Sequence, residues 1–139
     1  MGDSMAISTV SKNQPMREGE IAAIDALNDV ITIMNRANTQ LWSGSLGSGN
    51  ITVNGLENYS LFAVYLENEN SPCLVYSPPG NTHFIGTAMA ITSTPTLFGI
   101  SCNLNRNDNN LTYVYAASKN ISGTSTFTKK NVVKIIGII

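Results

Sequence analysis

The segment Lys129–Ile139, KKNVVKIIGII, constrains the fold more strongly than any other part of the sequence. Its last eight residues hold six aliphatic side chains and one glycine, and only Lys134 interrupts them. A strand that is apolar on both faces belongs in the interior of a structure, because an open edge of this kind invites association with other chains. We therefore expect one face of this strand to join the domain core. The other face, with Ile136 and Ile138, is expected to form part of a subunit interface.

The residues before this strand, from Leu41 onward, show the two-residue period of β-strands. In Tyr59–Glu67, YSLFAVYLE, the apolar side chains fall on two alternating faces, and Asn54-Gly55 is typical of a tight turn. Eight or nine such strands fit into this part of the chain, and no regular alternation of strands with helices appears. Residues 41–139 are therefore predicted to be an antiparallel β-sandwich or jelly-roll-like domain in a mainly β protein.

A helical period occupies residues 17–40. Its seam follows spacings of three and four, with Ile24, Ile31 and Asn38 at heptad position a and Leu27, Met34 and Leu41 at position d. Two interpretations stay open: an amphipathic helix that packs on its own domain, and a short parallel coiled-coil stalk between subunits. Fewer than three heptads cannot stand alone, so a coiled coil here needs a neighbouring domain to hold it together. In such a stalk Asn38 would set the register.

The first 16 residues lack both periods and are predicted to be an extended anchoring arm. The chain is thus expected to comprise an arm (1–16), one helix (17–40) and a β-sandwich head domain (41–139). An arm of this kind suits docking onto a larger partner, and residues 1–20 are the expected contact.

The composition excludes several classes of partner. Charged residues make up only 12% of the chain and the formal net charge is −1, so no electrostatic footprint for nucleic acid or an anionic membrane is present. No apolar run approaches the ~18 residues that a membrane-spanning helix needs, and no secretory signal is visible. We expect synthesis in a cytoplasm. Cys73 and Cys102 are then predicted to be reduced, buried residues, with a disulfide as the alternative.

The residues that catalysis requires are sparse. Glu67 and Glu69 lie on one side of a strand end, but a solvated turn explains them better than a pair of glycosidase carboxylates. His83 has no neighbouring His or Cys with which to bind a metal. The glycines of Gly44–Gly49, GSLGSG, are not followed by the Lys-Ser/Thr of a phosphate-binding loop and are predicted to form a flexible turn after Trp42. We expect no enzyme activity, no cofactor and no metal.

The region 41–139 resembles the terminal β domains of bacteriophage tail-fibre and head-fibre proteins. The matching pieces are Leu41-Trp42-Ser43-Gly44-Ser45, Ile51-Thr52-Val53, the positions Tyr59, Phe62 and Val64, and the closing Lys134-Ile135-Ile136-Gly137-Ile138. The resemblance implies a trimeric, non-enzymatic virion appendage that is made in the bacterial cytoplasm. Its N-terminal part would attach to other capsid or tail proteins, and its β domain would face the host surface. The short N-terminal region suits a short spike or a capsid head fibre (decoration protein) better than a long tail fibre.

Host-surface glycans are the expected ligands of such a tip. Amide and aromatic side chains in the loops at Asn68–Ser71, Asn81–His83 and Asn105–Asn110 are the candidate contacts, because they can stack on sugars and hydrogen-bond to them. Within these loops the candidates are Asn81, His83, Asn107 and Asn109. Three alternatives are a baseplate or tail component that grips other phage proteins, a glycan depolymerase, and a cellular trimeric ligand of jelly-roll type.

Overall fold

The computed structural model describes residues 18–91, 97–121 and 126–139. The predicted arm, residues 1–16, lies outside these ranges. The chain divides into two compact units, Met1–Arg36 and Ala37–Ile139. Below, "the β unit" means the second of them. The boundary between helix and β region therefore falls four residues earlier than the sequence predicts.

The described part of the first unit is helix α1 (Glu18–Arg36). The helix ends before Asn38, whose φ of 56° is left-handed and incompatible with a continuing helix. The predicted heptad seam is therefore wrong at its last two positions. Asn38 follows the helix, and Leu41 lies in the first β-strand and packs on the β core. Of the other seam positions, Met34 lies within α1, but its side chain is outside the described part.

The described residues of the β unit form nine strands and one short 3-10 helix (Leu56–Asn58). In chain order the strands are β1 (Thr39–Leu46), β2 (Asn50–Thr52), β3 (Leu61–Leu66), β4 (Cys73–Tyr76), β5 (His83–Ile91), β6 (Leu97–Asn107), β7 (Asn110–Asn120), β8 (Thr128–Lys129) and β9 (Val132–Gly137). Gly44 lies inside β1, so the prediction that it belongs to a flexible turn is wrong, whereas Gly47 and Gly49 do lie between strands.

All nine strands belong to one antiparallel sheet, in the order β1-β9-β3-β4-β5-β6-β7-β2, with β8 paired to β7. The first and last strands of this order, β1 and β2, are joined in the chain by only Gly47–Gly49. Three linking residues span at most about 14 Å, so the two ends of the sheet must approach each other. The sheet is therefore curled around one core, and the predicted mainly β, sandwich-like fold with one helix is confirmed.

A second short link, Lys130–Asn131, joins the two ends of the sheet again, because it connects β8 to β9. The Lys130 N–H donates to the Ala116 carbonyl (2.8 Å), and the Asn131 side-chain amide donates to the Ser45 hydroxyl (3.0 Å). Gly47 lies directly against this link: a Cβ there would lie 2.1 Å from Asn131 Oδ1, so a larger residue would displace the Asn131 side chain. The curl is thus held by specific contacts where the ends of the sheet meet.

The predicted role of the last strand in the core is confirmed. β9 lies between β1 and β3, and its Val132 and Ile135 side chains are fully buried. Ile136 and Ile138 are half-buried. Gly137 faces the ring of Tyr59, which a Cβ would approach to 2.5 Å, and this contact explains the single glycine in an otherwise aliphatic run.

The core inside the curled sheet is aliphatic and aromatic. Its largest buried side chains include Phe62, Phe84, Leu104 and Leu111, and the Phe62 and Phe84 rings are 4.9 Å apart between centroids. The two cysteines of this unit, at 73 and 102, are free and buried, as predicted. Burial raises the pKa of the Cys73 thiol to about 11 and raises that of the Cys102 thiol as well.

Candidate functional site

Strand direction brings two of the three predicted glycan-binding loops together. β5 begins at His83 opposite Asn105 of β6, and Asn107 of β6 lies opposite Asn110 of β7. β1 also starts at this end, because its first residue, Thr39, pairs with Gly137, the last residue of β9. We call this the entry end of the β unit, since the chain enters the sheet there. The loops that contain Asn81, His83, Asn107 and Asn109 therefore form one polar cluster at the entry end.

A buried arginine connects these loops. Only 3% of Arg106 is exposed. Its Nε donates to the Asp108 carbonyl (2.9 Å), its Nη1 donates to the Ser77 carbonyl and hydroxyl, and its Nη2 donates to the Leu56 carbonyl (3.4 Å). The guanidinium carbon also lies 6.0 Å from the centroid of the Phe62 ring. Neutral carbonyls from three separate segments thus surround one cation.

The Arg106 network extends into the Asn81–His83 loop. The Arg106 N–H donates to the Thr82 carbonyl (2.8 Å), and the Ser77 hydroxyl donates to the His83 carbonyl (2.7 Å). Burial lowers the pKa of the Arg106 guanidinium, and the nearby Asp108 and Glu57 oppose that shift. The side chain remains a cation at all ordinary pH values. It therefore fixes the backbone of the polar cluster from beneath.

Arg106 was not among the predicted site residues, although the sequence contains a signal for it. Ile100, Cys102, Leu104 and Arg106 occupy alternate positions of β6, and all four are buried. The two-residue period of a strand places them on one face. An arginine that continues a buried apolar face is a candidate organising residue, because an unpaired charge there would be costly.

Two of the four predicted glycan contacts accept hydrogen bonds from backbone N–H groups, Asn81 within its own turn and Asn109 from the separate 3-10 helix. The Asn81 side-chain oxygen accepts from the His83 N–H at 3.5 Å, and that of Asn109 accepts from the Glu57 N–H at 3.2 Å. His83 and Asn107 are exposed. The cluster therefore presents an imidazole and an amide to solvent, on loops that the other two side chains help to shape.

The third predicted loop, Asn68–Ser71, lies at the opposite end of the sheet, between β3 and β4. Glu67, directly before this loop, and Glu69, within it, both contact the link between β8 and β9. Glu67 Oε1 accepts from the Asn131 N–H (2.9 Å), and Glu69 forms an ion pair with Lys130 (3.4 Å). These contacts give both carboxylates a structural task at the junction of the sheet ends.

A third feature is a group of exposed apolar side chains on the outer surface of the sheet. The outer surface of β4–β7 exposes Leu74, Tyr76, Ile85 and Met89, each by 47–70%. Beside Met89 the surface contains a cleft of about 400 Å³ whose walls include Thr87, Ser101, Lys119, Ile121 and Phe127. The Lys119 ammonium lies 4.9 Å from the centroid of the Phe127 ring. This region was not among the predicted contacts, because its residues are spread over four strands, β4–β7, and the chain just after β7 and just before β8.

The helix also exposes apolar side chains. Leu27 and Ile31, one turn apart, are 49% and 43% exposed, Ile21 and Val30 are similarly exposed, and Ile24 is half-buried. Among the described residues, no helix is long and apolar enough to cross a membrane. In the same ranges, no three His, Cys, Asp or Glu side chains lie close enough together to hold a metal ion.

Comparisons of the chain with protein-family models, with curated proteins and with solved structures find no match.

Proposed function

We propose that this chain is a non-enzymatic structural protein of a bacteriophage virion: a short trimeric fibre, or a head fibre that decorates the capsid. The observation that carries the proposal is the pairing of a β unit that closes on its own core with a helix whose Ile21, Leu27, Val30 and Ile31 are 43–51% exposed. A helix of this kind gains stability by packing against copies of itself. The fibre resemblance of residues 41–139 supplies the biological setting.

Several of the residues that match the fibre domains lie in the core of the β unit or pack against it. This placement supports a shared fold more than a shared binding site. Phe62 and Val64 are fully buried, Trp42 packs against the core, and Tyr59 covers Gly137. We propose that residues 1–20 attach the protein to capsid or tail proteins. Host-surface binding through the β unit belongs to the same proposal.

The glycan depolymerase has less support. Glu67 and Glu69, the carboxylates considered for it, each hold the link between β8 and β9. A baseplate component differs from a head fibre only in its attachment, so the proteins that contact residues 1–20 in purified particles distinguish these two.

The oligomer is tested with a matched pair of charge substitutions on α1. Leu27→Asp places a carboxylate on the exposed apolar stripe, whereas Asn28→Asp adds the same charge at the next position. Sedimentation equilibrium of the full chain should give a trimer for wild type and Asn28→Asp. For Leu27→Asp we expect association weakened at least tenfold, which is about 1.4 kcal/mol. A monomeric wild-type protein at micromolar concentration would refute the trimer.

The virion setting is tested separately. Mass spectrometry of purified phage particles should find this chain in multiples of three copies, and a chain that lacks residues 1–20 should be absent from particles while its β unit stays folded. Normal incorporation of the truncated chain contradicts the proposed attachment.

A further inference from the structure

The exposed apolar side chains of the β unit are unevenly distributed. Among the described residues of this unit, nine large apolar residues are more than 40% exposed, and all except Ile139 lie on β4–β8 or directly beside the ends of these strands. We call these eight the apolar face: Leu74, Tyr76, Ile85, Met89, Val114, Tyr115, Ile121 and Phe127. Five of the nine strands and the residues directly beside their ends thus account for eight of these nine exposed large apolar residues.

The strand register places members of this face on one side of the sheet. Leu74 of β4 lies opposite Thr87 of β5, which lies opposite Ser101 of β6. Two residues along β5, Met89 lies opposite Gly99 of β6. Since paired residues of neighbouring strands, about 4.8 Å apart, share one face, Leu74 and Met89 lie on one side of the sheet, beside the small residues Thr87, Gly99 and Ser101. These small residues leave the cleft beside Met89, which is wide enough for an apolar side chain.

A second set of paired residues, across β5, β6 and β7, contributes to the apolar face. Ile85 lies opposite Asn103, and Asn103 lies opposite Tyr115 of β7. Farther along, Gly99 lies opposite Lys119, whose ammonium covers the Phe127 ring. Lys119 is the charged residue among the cleft-lining side chains. A face with so little charge does not repel a copy of itself, and low charge with exposed Tyr, Phe and Met is typical of the centre of protein interfaces.

The accessible area of the apolar face is also consistent with a second copy of this chain as the partner. From their exposed fractions, the eight residues together present roughly 900 Å² of accessible surface, polar atoms included. A stable standard-size interface buries about 800 Å² on each partner. One copy of this face therefore offers as much surface as one side of such an interface.

We propose that the apolar face is the surface through which the β units of neighbouring copies of this chain pack against each other. The inference rests on the homo-oligomer proposed above and places its β-unit interface on β4–β8, away from Ile136 and Ile138. Association of the helices would raise the effective concentration of the faces, so that contacts too weak to act alone become occupied. The cleft beside Met89 then receives an apolar side chain of the adjacent copy.

The test uses the full chain and two matched double variants. Leu74→Arg with Ile85→Arg places two cations on the apolar face, where both side chains are about half exposed and the fold should tolerate them. Ser48→Arg with Thr52→Arg adds the same charge at exposed positions away from the face. Sedimentation equilibrium should show association weakened at least tenfold for the first variant and unchanged for the second, with wild-type circular dichroism for both.

A second measurement does not depend on the substitutions. Hydroxyl-radical labelling of wild-type protein should modify Tyr76 and Met89 several-fold more slowly above the association transition than below it. Equal labelling at both concentrations overturns the inference, as does a face variant that associates like wild type. In either case the proposed function still stands if the wild-type protein is a trimer and Leu27→Asp dissociates it. A monomeric wild-type protein refutes both the proposed trimer and the inference about the apolar face. A face variant that stays trimeric but no longer binds host cells overturns the inference in favour of receptor binding.

Discussion

Helix α1 and the β unit differ in how far they bury their own apolar side chains. In the β unit the sheet curls until Phe62, Phe84, Leu104 and Ile135 are at most 2% exposed. In α1 the side chain of Leu27 remains half exposed. The β unit buries its large apolar side chains within its own sheet, whereas α1 by itself leaves several of its own exposed.

The largest effect is expected from Ile135→Asp in the middle of β9. This side chain is fully buried between β1 and β3, and a buried, unpaired carboxylate costs more than about 4 kcal/mol, a large fraction of the stability of a domain. The β unit should be unfolded or insoluble at 25 °C by circular dichroism.

The matched control is Ile136→Asp, one residue along the same strand. Ile136 is half-buried, so its carboxylate retains contact with water and we expect a folded protein that has lost about 1–2 kcal/mol. Equal damage from both substitutions would contradict the assignment of Ile135 to the inner face of the sheet and Ile136 to the outer one.

The next effect is expected from Arg106→Ala. It leaves the carbonyls of Leu56, Ser77 and Asp108 without their common donor, and unsatisfied buried acceptors cost about 1–3 kcal/mol each unless water replaces the donor. Urea denaturation should show a loss of about 2–4 kcal/mol for the β unit.

Asn105→Ala, at the exposed neighbouring position of β6, is the control and should change the free energy of unfolding by less than about 0.5 kcal/mol. Hydrogen exchange should also speed up at Thr82 and His83 in Arg106→Ala, because Arg106 anchors that loop through Ser77. Unchanged exchange there would mean that the arginine does not organise the polar cluster.

The smallest effect on stability is expected from removal of the whole helix. Because the β unit closes on its own core, residues 37–139 should unfold cooperatively in urea within about 0.5 kcal/mol of the full chain at low concentration. A peptide of residues 18–36 should be mostly unfolded in water, since isolated helices of about this length are marginal. A loss of more than about 2 kcal/mol on deletion would show that the two units are not independent.

The period of the apolar residues was sufficient to predict most of the fold. Phe62, Val64 and Leu66 alternate with less buried residues in β3, and the interior position of β9 followed from its apolar faces. The β1 strand was missed because Gly44 interrupts it and its buried positions do not alternate. The single curled sheet was not predictable, because pairing between distant strands leaves no local pattern.

The candidate sites were less accessible to sequence reasoning. Spacing placed Asn38 and Leu41 in the helix, whereas Asn tolerates the left-handed conformation that ends it, a stop signal that the heptad pattern obscured. The polar loops were identified one by one, but only the register brings Asn81 and Asn107 to one end of the sheet. The apolar face consists of positions on separate strands, so it exists only once the strands are paired.

The position of β9 has a consequence for how the protein is made. Residues 132–137 are synthesised after β1 and β3, yet they fill the space between those two strands. The β unit therefore cannot close on the ribosome until this last strand has emerged, and folding follows synthesis of the unit instead of accompanying it. A chain that stops before Val132 would leave two unpaired strand edges and an open core. Such a chain would expose apolar surface and be a substrate for proteases.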